Sequence, residues 1–435
     1  MLKVYTGNPL TASRFAFALF PLAVQLFALF EPSDVLAQDG SHRGDAIQIG
    51  AQAIVVVTRE SPAIHGRDLT EGYLTQPIIM LHASPWGELL SLKTSINFEG
   101  ATIERGELNA GIYGEGYVDR RHPHTYLHEL ILTSTKRFGT GVSGISVAAG
   151  KGFAPFGTDD PMSRPFEKYP VNHHLAQVLE RAVAIGAVRA DKWIIEAGTF
   201  NGDEPTSAGD TPNRKRYFDS WAARGTFLPW PQGEIQASYA RVKSPENATG
   251  GGADQRKHSA SVRLEDPQHS GYALLEWART ADYVGSTRTF AYQSILAETW
   301  ARYDFLSGAL RFERTDRPDE QRLNDEFRVA VPASDLTIAG RSRWTILTAR
   351  LAASVSLGRA FVIEPFGELA RSRVRPTLRP SGFEPRQFYG SDRIWSFSVG
   401  AKVAIGMAHM RMGRYGVAMP THQRSTMAGM DMEKM

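Results

Sequence analysis

The chain has 435 residues, with 49 basic against 46 acidic side chains for a formal charge of +3, and no cysteine. The missing cysteine excludes disulfides, thiolate metal sites, c-type haem attachment and cysteine nucleophiles. The near balance of charge leaves no nucleic-acid footprint.

The first residues read as a targeting segment. Residues 1–14 carry only Lys3 and Arg14 as charges, and an apolar run follows from Phe15 to Phe30 with Gln25 its one strongly polar member. The run is short for a membrane-spanning helix, which needs about 20 apolar residues. Val35-Leu36-Ala37 then supplies small or β-branched residues at the positions a signal peptidase reads. Positive start, apolar middle and small-residue cut are the parts of a secretory signal, so 1–37 is set apart from the fold. No later segment reaches 18 uninterrupted apolar residues, which excludes a bundle of membrane helices.

From there the chain alternates with period two. In Leu89–Phe98, Leu90, Leu92, Thr94, Ile96 and Phe98 share one face, and Leu89, Ser91, Lys93, Ser95 and Asn97 share the other. In Trp395–Val403, Trp395, Phe397, Val399, Ala401 and Val403 oppose Ser396, Ser398, Gly400 and Lys402. Successive side chains of a strand point to opposite faces, so each segment has an oily and a wet side.

Sixteen such strands are expected, within a range of fourteen to eighteen. The first eight are 46–57, 77–84, 87–98, 125–137, 140–152, 178–188, 191–201 and 216–228. The second eight are 233–244, 256–265, 270–281, 289–303, 306–315, 343–356, 360–372 and 392–405. Most have the length that a tilted strand needs to cross the hydrocarbon, whereas soluble strands average nearer five or six residues. Tight connections (near Pro85, Gly139, Arg189, Pro231, Pro267, Phe305 and Leu357) alternate with long polar ones at 58–76, 99–124, 153–177, 202–215, 245–255, 282–288, 316–342 and 373–391.

Short turns on one rim, long loops on the other and an even strand number are the pattern of outer-membrane barrels. The expected fold is therefore all-β: a transmembrane, antiparallel, up-and-down barrel over 38–406, followed by a tail at 407–435 lying in the periplasm beneath the pore. Trp86, Trp193, Trp221, Trp230, Trp300, Trp344 and Trp395, near strand ends, suit interfacial girdles.

A barrel of this size leaves an aqueous lumen. Ionisable residues recur on the inferred inner faces: Lys93, Glu129, Glu234, Arg263, Glu265, Glu276, Arg311, Glu313, Arg350, Glu364, Glu368 and Lys402. Facing lipid at mid-depth, a charge costs about 2–4 kcal/mol. The pattern reads as a polar channel narrowed by an infolded loop. Its expected partners are outer-membrane lipid and small solutes or ions, and no feature specifies an oligomeric state.

Two clusters could bind metal. His122 and His124 lie at the end of one long loop and His128 begins the following strand, and Asp159, Asp160, Glu167, His173 and His174 lie in the next loop. The two loops flank one hairpin, and imidazole with carboxylate suits zinc, copper or nickel. Loop packing explains the same residues. The tail holds eight of the eleven methionines (Met407, Met410, Met412, Met419, Met427, Met430, Met432 and Met435) with His409 and His422. Thioether and imidazole donors suit copper; the bland reading is a tail whose methionines are incidental.

Other motifs fail on context. Gly139–Gly144 fits a dinucleotide glycine pattern but opens a strand rather than a helix. Asn247-Ala248-Thr249 carries little meaning as a glycosylation acceptor in a bacterial-type envelope. His128 with Ser134 or Thr133 is too loose for an activated nucleophile, so no enzymatic activity is expected.

Asp119-Arg120-Arg121-His122-Pro123-His124, Asp159-Asp160-Pro161-Met162, Asn172-His173-His174 and Phe200-Asn201-Gly202 together resemble porin-like outer-membrane barrel proteins of Gram-negative bacteria, some of them linked to heavy-metal resistance. The Met427–Met432 stretch resembles the methionine-rich segments of copper-resistance proteins of the CopB type, where such segments tend to lie near the N-terminus. These resemblances imply a porin-like channel tied to copper handling. The alternative is a loop-plugged, non-conducting barrel with a metal-binding or structural role in the envelope.

Overall fold

A computed structural model describes residues 47–63, 66, 68–103, 124–139, 141–266, 270–320, 338–357, 361–377, 384–406 and 411–419. Among these, sixteen spanning strands form one closed antiparallel sheet. They are β1 (Ile47–Ser61), β2 (Leu69–Ala83), β3 (Ser91–Asn97), β4 (Leu127–Arg137), β5 (Gly144–Gly152) and β6 (Arg181–Ala190). Next come β7 (Trp193–Phe200), β8 (Ser220–Phe227), β9 (Gly233–Val242), β10 (Asp254–Glu265) and β11 (Gly271–Val284). The last are β12 (Thr287–Tyr303), β13 (Leu306–Glu320), β14 (Ile338–Ala353, continued after a break at Ser354 by Val355–Leu357), β15 (Phe361–Pro376) and β16 (Arg393–Gly406).

Each strand pairs with its chain neighbours, and β1 closes the ring on β16 from Gly50↔Gly406 to Ser61↔Trp395. Closure removes both sheet edges, so the ladder satisfies its backbone groups without water. Both ends of the strand path lie at the rim with the short turns.

The alternation is inside-out relative to a soluble protein. Along β4, Leu130 and Leu132 are exposed while Ile131 and Thr133 are buried. Along β16, Trp395, Phe397 and Val399 face out, while Ser396 and Ser398 face in and are covered. An outer surface of this kind belongs in hydrocarbon, and the barrel spans a membrane. Leu132→Arg, at mid-strand on the outer face, is expected to destabilise the barrel by about 2–4 kcal/mol. Denaturant titration of the lipid-embedded protein checks this; Thr133→Arg on the same strand tests the inner face.

The strand count matches the sequence expectation, but several loops are shorter than expected. The stretch expected as a loop at 58–76 is mostly ladder: β1 continues through Thr58, Arg59 and Glu60, which pair with Glu71, Thr70 and Leu69. These residues looked like loop because they are polar, yet Thr58 and Glu60 face the lumen, where polarity is the rule. Pro77 does not open a strand. It follows Gln76, whose φ of 51° and the register shift at Gln52/Ile54 mark a bulge inside β2. Likewise β11 and β12 meet across Gly285 and Ser286 rather than a 282–288 loop, β13 and β14 extend to Glu320 and from Ile338, and β15 reaches Pro376.

Two girdle tryptophans are also corrected. Trp344 is 1% exposed, on the inner side, with its indole N–H donated to Ser342 Oγ at 3.0 Å. Trp300 shares the inward parity of Leu296 and Glu298 on β12.

Candidate functional site in the barrel lumen

The lumen is occupied by two segments of the chain itself. The first is the β5–β6 loop, 153–180. It leaves the wall as a doubled strap, with Ala154 N–H donating to Val178 O at 3.1 Å. Gly157 permits the fold-back: its φ is 73°, and a Cβ there would lie 1.7 Å from Ala176 O. Asp160 then caps a short 3-10 turn, Pro161–Ser163, accepting from Met162 N–H at 2.8 Å. Phe156, Met162, Phe166 and Tyr169 are buried inside the barrel.

The strap reaches the opposite wall through polar contacts. Thr158 and Asn172 donate to Glu276 on β11 at 2.6 and 2.8 Å. Arg164 lies 3.7 Å from Glu276 and 4.0 Å from Glu298. Val171 N–H donates to Glu313 at 2.7 Å, and Glu167 N–H to Glu368 at 3.1 Å. Lys168 reaches Glu60 at 3.1 Å and Ser396 at 2.7 Å. Arg311 sits over the Phe166 ring at 4.3 Å. Burial pushes the Glu167 carboxyl up to about 7, the adjacent Glu368 adding to the shift against Lys168.

The second segment, 411–419, turns back into the barrel on the β4–β9 side. The expectation that the residues after β16 hang beneath the pore is therefore corrected for this stretch. Arg411 reaches Glu234 at 3.1 Å and Asp159 at 3.2 Å; Arg414 reaches Glu234 and Gln236 at 2.5 and 2.7 Å. Burial raises the Asp159 carboxyl, but Arg411, Arg263 and Arg164 outweigh it and hold the group well below the usual carboxylate range. The Tyr415 hydroxyl donates to Glu129 at 2.7 Å and accepts from Phe153 N–H at 3.0 Å. Val417 and Ala418, both 0% exposed, pack on Ala187, Ile194 and Leu228. Two wall residues serve both segments. Gln236 on β9 donates to Gly157 O at 2.7 Å and accepts from Arg414 at 2.7 Å. Arg224 on β8 holds Glu196 through two bonds of 2.6 and 2.7 Å, and donates to Gly157 O at 3.1 Å and Gly413 O at 3.0 Å.

The eight foremost pore-lining residues expected from sequence lie on the inner face. Glu129, Arg263, Glu276, Arg311, Arg350 and Lys402 are buried, against the inserted segments or against each other, rather than lining open water. Lys93 pairs with Glu129 at 3.1 Å, Arg350 with Glu364 at 2.7 Å, and Lys402 opposes Glu364 across the ladder.

The histidine cluster is redrawn. His124 and His128 come together, with ring centroids 5.2 Å apart, and Asp160 joins them. Asp159 faces arginines instead. His173 lies with its ring 5.7 Å from that of Tyr169 and tilted 59° to it, and its Nδ1 contacts Pro170 O. His122 and the side chain of His174 lie outside the described residues. Two members were missed. Glu99, just after β3, lies 2.8 Å from His124 Nδ1, and Glu180, just before β6, lies 2.5 Å from His128 Nδ1. Burial raises both carboxyls, but His124 outweighs it at Glu99, and His128 holds Glu180 down to about 2. Burial lowers the His124 imidazole, and Glu99 more than reverses that. Glu180 also lines a cavity of about 160 Å³ at the long-loop rim, shared with Lys151, Asp203, Glu204 and Asp210.

Of the tail candidates, Met412 is 3% exposed and sits in an apolar cluster with Phe153 and Tyr415. His409, Met410, His422, Met427, Met430, Met432 and Met435 lie outside the described residues.

No protein-family model and no curated protein matches the chain. Among solved structures it is similar to a loop-deletion mutant of OmpT, an outer membrane protein of Vibrio cholerae, at 10% identity over 83% of this chain and 100% of that one, with a TM-score of 0.48. An anion-selective porin from Comamonas acidovorans matches at 9% identity over 82% and 99%, with a TM-score of 0.47. OpdO of Pseudomonas aeruginosa matches at 11% over 84% and 99%, with a TM-score of 0.39. The barrel itself rests on its own strand pairing.

Proposed function

We propose that the chain is an exported, porin-like barrel of a bacterial-type outer membrane whose charged lumen is held shut by the β5–β6 loop and the 411–419 segment. Small polar solutes or ions pass when the 411–419 segment withdraws. The observation that carries this reading is the origin of the counter-charges on the wall. Arg411 and Arg414, which neutralise Glu234 and Asp159, belong to a segment after the last strand rather than to a strand. A segment outside the strand pairing can leave without breaking the ladder. Much of its contact with the wall is polar, and even charge-assisted bonds of this kind are worth only about 1.5–3 kcal/mol each net, because water can replace them.

A second reading, a permanently plugged barrel, is favoured by the buried ion pairs that tie the β5–β6 loop to the far wall. Planar-bilayer recordings of the intact chain and of a 1–406 truncation separate the two. Steady conductance appearing on truncation supports the gate, and silence from both supports the plug. A copper role for the tail rests on its composition alone.

A further inference from the structure

The geometry points to a metal site, made by His124, His128 and Glu180, that takes one divalent ion of the zinc class and ties the β5–β6 loop to the barrel wall.

The three residues come from three stretches: the end of the β3–β4 loop, the start of β4 and the end of the β5–β6 loop. All three are buried, and one donor atom from each lies within 4.8 Å of the others. The groups around them are those that orient ligands. Outside this trio, each imidazole has one nitrogen on a carboxylate: Nδ1 of His124 on Glu99 at 2.8 Å, and Nε2 of His128 on Asp160 at 3.2 Å. This leaves Nε2 of His124 and Nδ1 of His128 as ligand nitrogens. A carboxylate on the far nitrogen of a ligating histidine fixes its tautomer and raises its basicity.

Glu180 is held just as firmly. Its Oε2 accepts from Thr125 N–H at 2.9 Å and from Thr125 Oγ1 at 2.8 Å, so Oε1 is the oxygen facing His128. Its backbone sits at φ 56°, a left-handed conformation that side chains other than glycine adopt at a cost and that clusters at functional sites.

Charge is consistent with an ion here, since one divalent cation replaces the two imidazolium protons that otherwise balance the cluster. Glu99, Asp160 and Glu180 bring three negative charges, and Lys151, whose Nζ meets Thr125 Oγ1 at 2.5 Å, returns one positive charge. With both rings neutral, as ligands must be, the cluster carries a net −2, which one divalent ion cancels. Two imidazoles and a carboxylate with no sulfur donor suit zinc and similar borderline ions, with a fourth position left for water or a further carboxylate oxygen. Glu180 also borders the 160 Å³ cavity at the long-loop rim.

The test titrates Co2+ into the full-length, refolded barrel, reads its visible d–d absorption, and displaces it with Zn2+. The expected result is one equivalent with a tetrahedral-type spectrum. That spectrum is lost in His128→Asn and in Glu180→Gln, and kept in His258→Asn, a histidine on β10 away from the cluster. Asp160→Asn, which spares the ligands, should weaken binding about 10–100-fold. Heat-modifiable mobility on gels confirms that each variant has folded. If His128→Asn and Glu180→Gln bind Co2+ with the wild-type stoichiometry and spectrum, or if all binding disappears with residues 420–435, the site is not the one assigned.

Discussion

Deleting the chain beyond Gly406 should convert a barrel that is silent in a planar bilayer into one with steady, cation-selective steps. Selectivity follows from what the deletion leaves behind. Arg411 and Arg414 are the cations on Glu234, and Arg411 also serves Asp159 and Glu265. Without them Glu234 faces water with neither partner, and Glu129 loses the Tyr415 hydroxyl. Asp159 and Glu265 retain Arg263, and Glu129 retains Lys93. The newly wetted wall is therefore net acidic, and acidic rings select cations. Removing one of these negative charges in the truncated chain with Glu234→Gln should shift the reversal potential in a salt gradient toward zero. The deletion also exposes Ala187 and Ile194, which lose Val417 and Ala418, so the open form is expected to be less stable than the closed one. A truncated chain that stays silent would remove the 411–419 segment as the closing element.

The largest single-residue effect is expected at Arg224. Its side chain is 1% exposed, as is that of Glu196, and the pair is bidentate across β7 and β8. Arg224→Met keeps much of the volume but leaves the Glu196 carboxylate buried and unpaired, and breaking one side of such a pair costs about 3–5 kcal/mol. It also withdraws the donors to Gly157 O and Gly413 O, which hold the two inserted segments against one wall. Arg224→Lys should recover little, because an ammonium cannot make the two parallel bonds or reach two carbonyls from one rigid plane. Pairing the change with Glu196→Met separates the terms: the double variant relieves the buried charge and keeps only the loss of anchoring. Denaturant midpoints of the four proteins give the coupling energy.

The barrel was legible because its signal is repeated. Trp395–Val403 and Leu89–Phe98 alternate cleanly, and sixteen such strands with an even parity leave few other solutions. Where the sequence misled, the cause was that polarity means two things here. Thr58, Arg59 and Glu60 looked like loop, yet in a barrel a polar residue inside the ladder is ordinary. The candidate site was half visible. His124, His128 and Asp160 could be singled out as histidines and acids in neighbouring loops, but Glu99 and Glu180 had no spacing to mark them. They are joined to the histidines only when three separate stretches of chain fold over the same point. Nothing marked residues 411–419 as a lumen segment, because their counter-charges, Glu234, Asp159 and Glu129, lie more than 170 residues away in sequence. Composition drew attention to methionines there, whereas the contacts are made chiefly by Arg411, Arg414, Tyr415 and Val417.

The central claim, that residues 411–419 are seated inside the barrel, can be measured in the native membrane. The chain has no cysteine, so Val417→Cys introduces a single thiol, smaller than the side chain it replaces, at a position that is 0% exposed. Reaction of a charged, membrane-impermeant maleimide with outer-membrane preparations, opened so that both faces are accessible, should leave Cys-bearing protein unlabelled while folded and label it fully after heat unfolding. Labelling of the folded barrel at the rate of the unfolded chain would contradict the account.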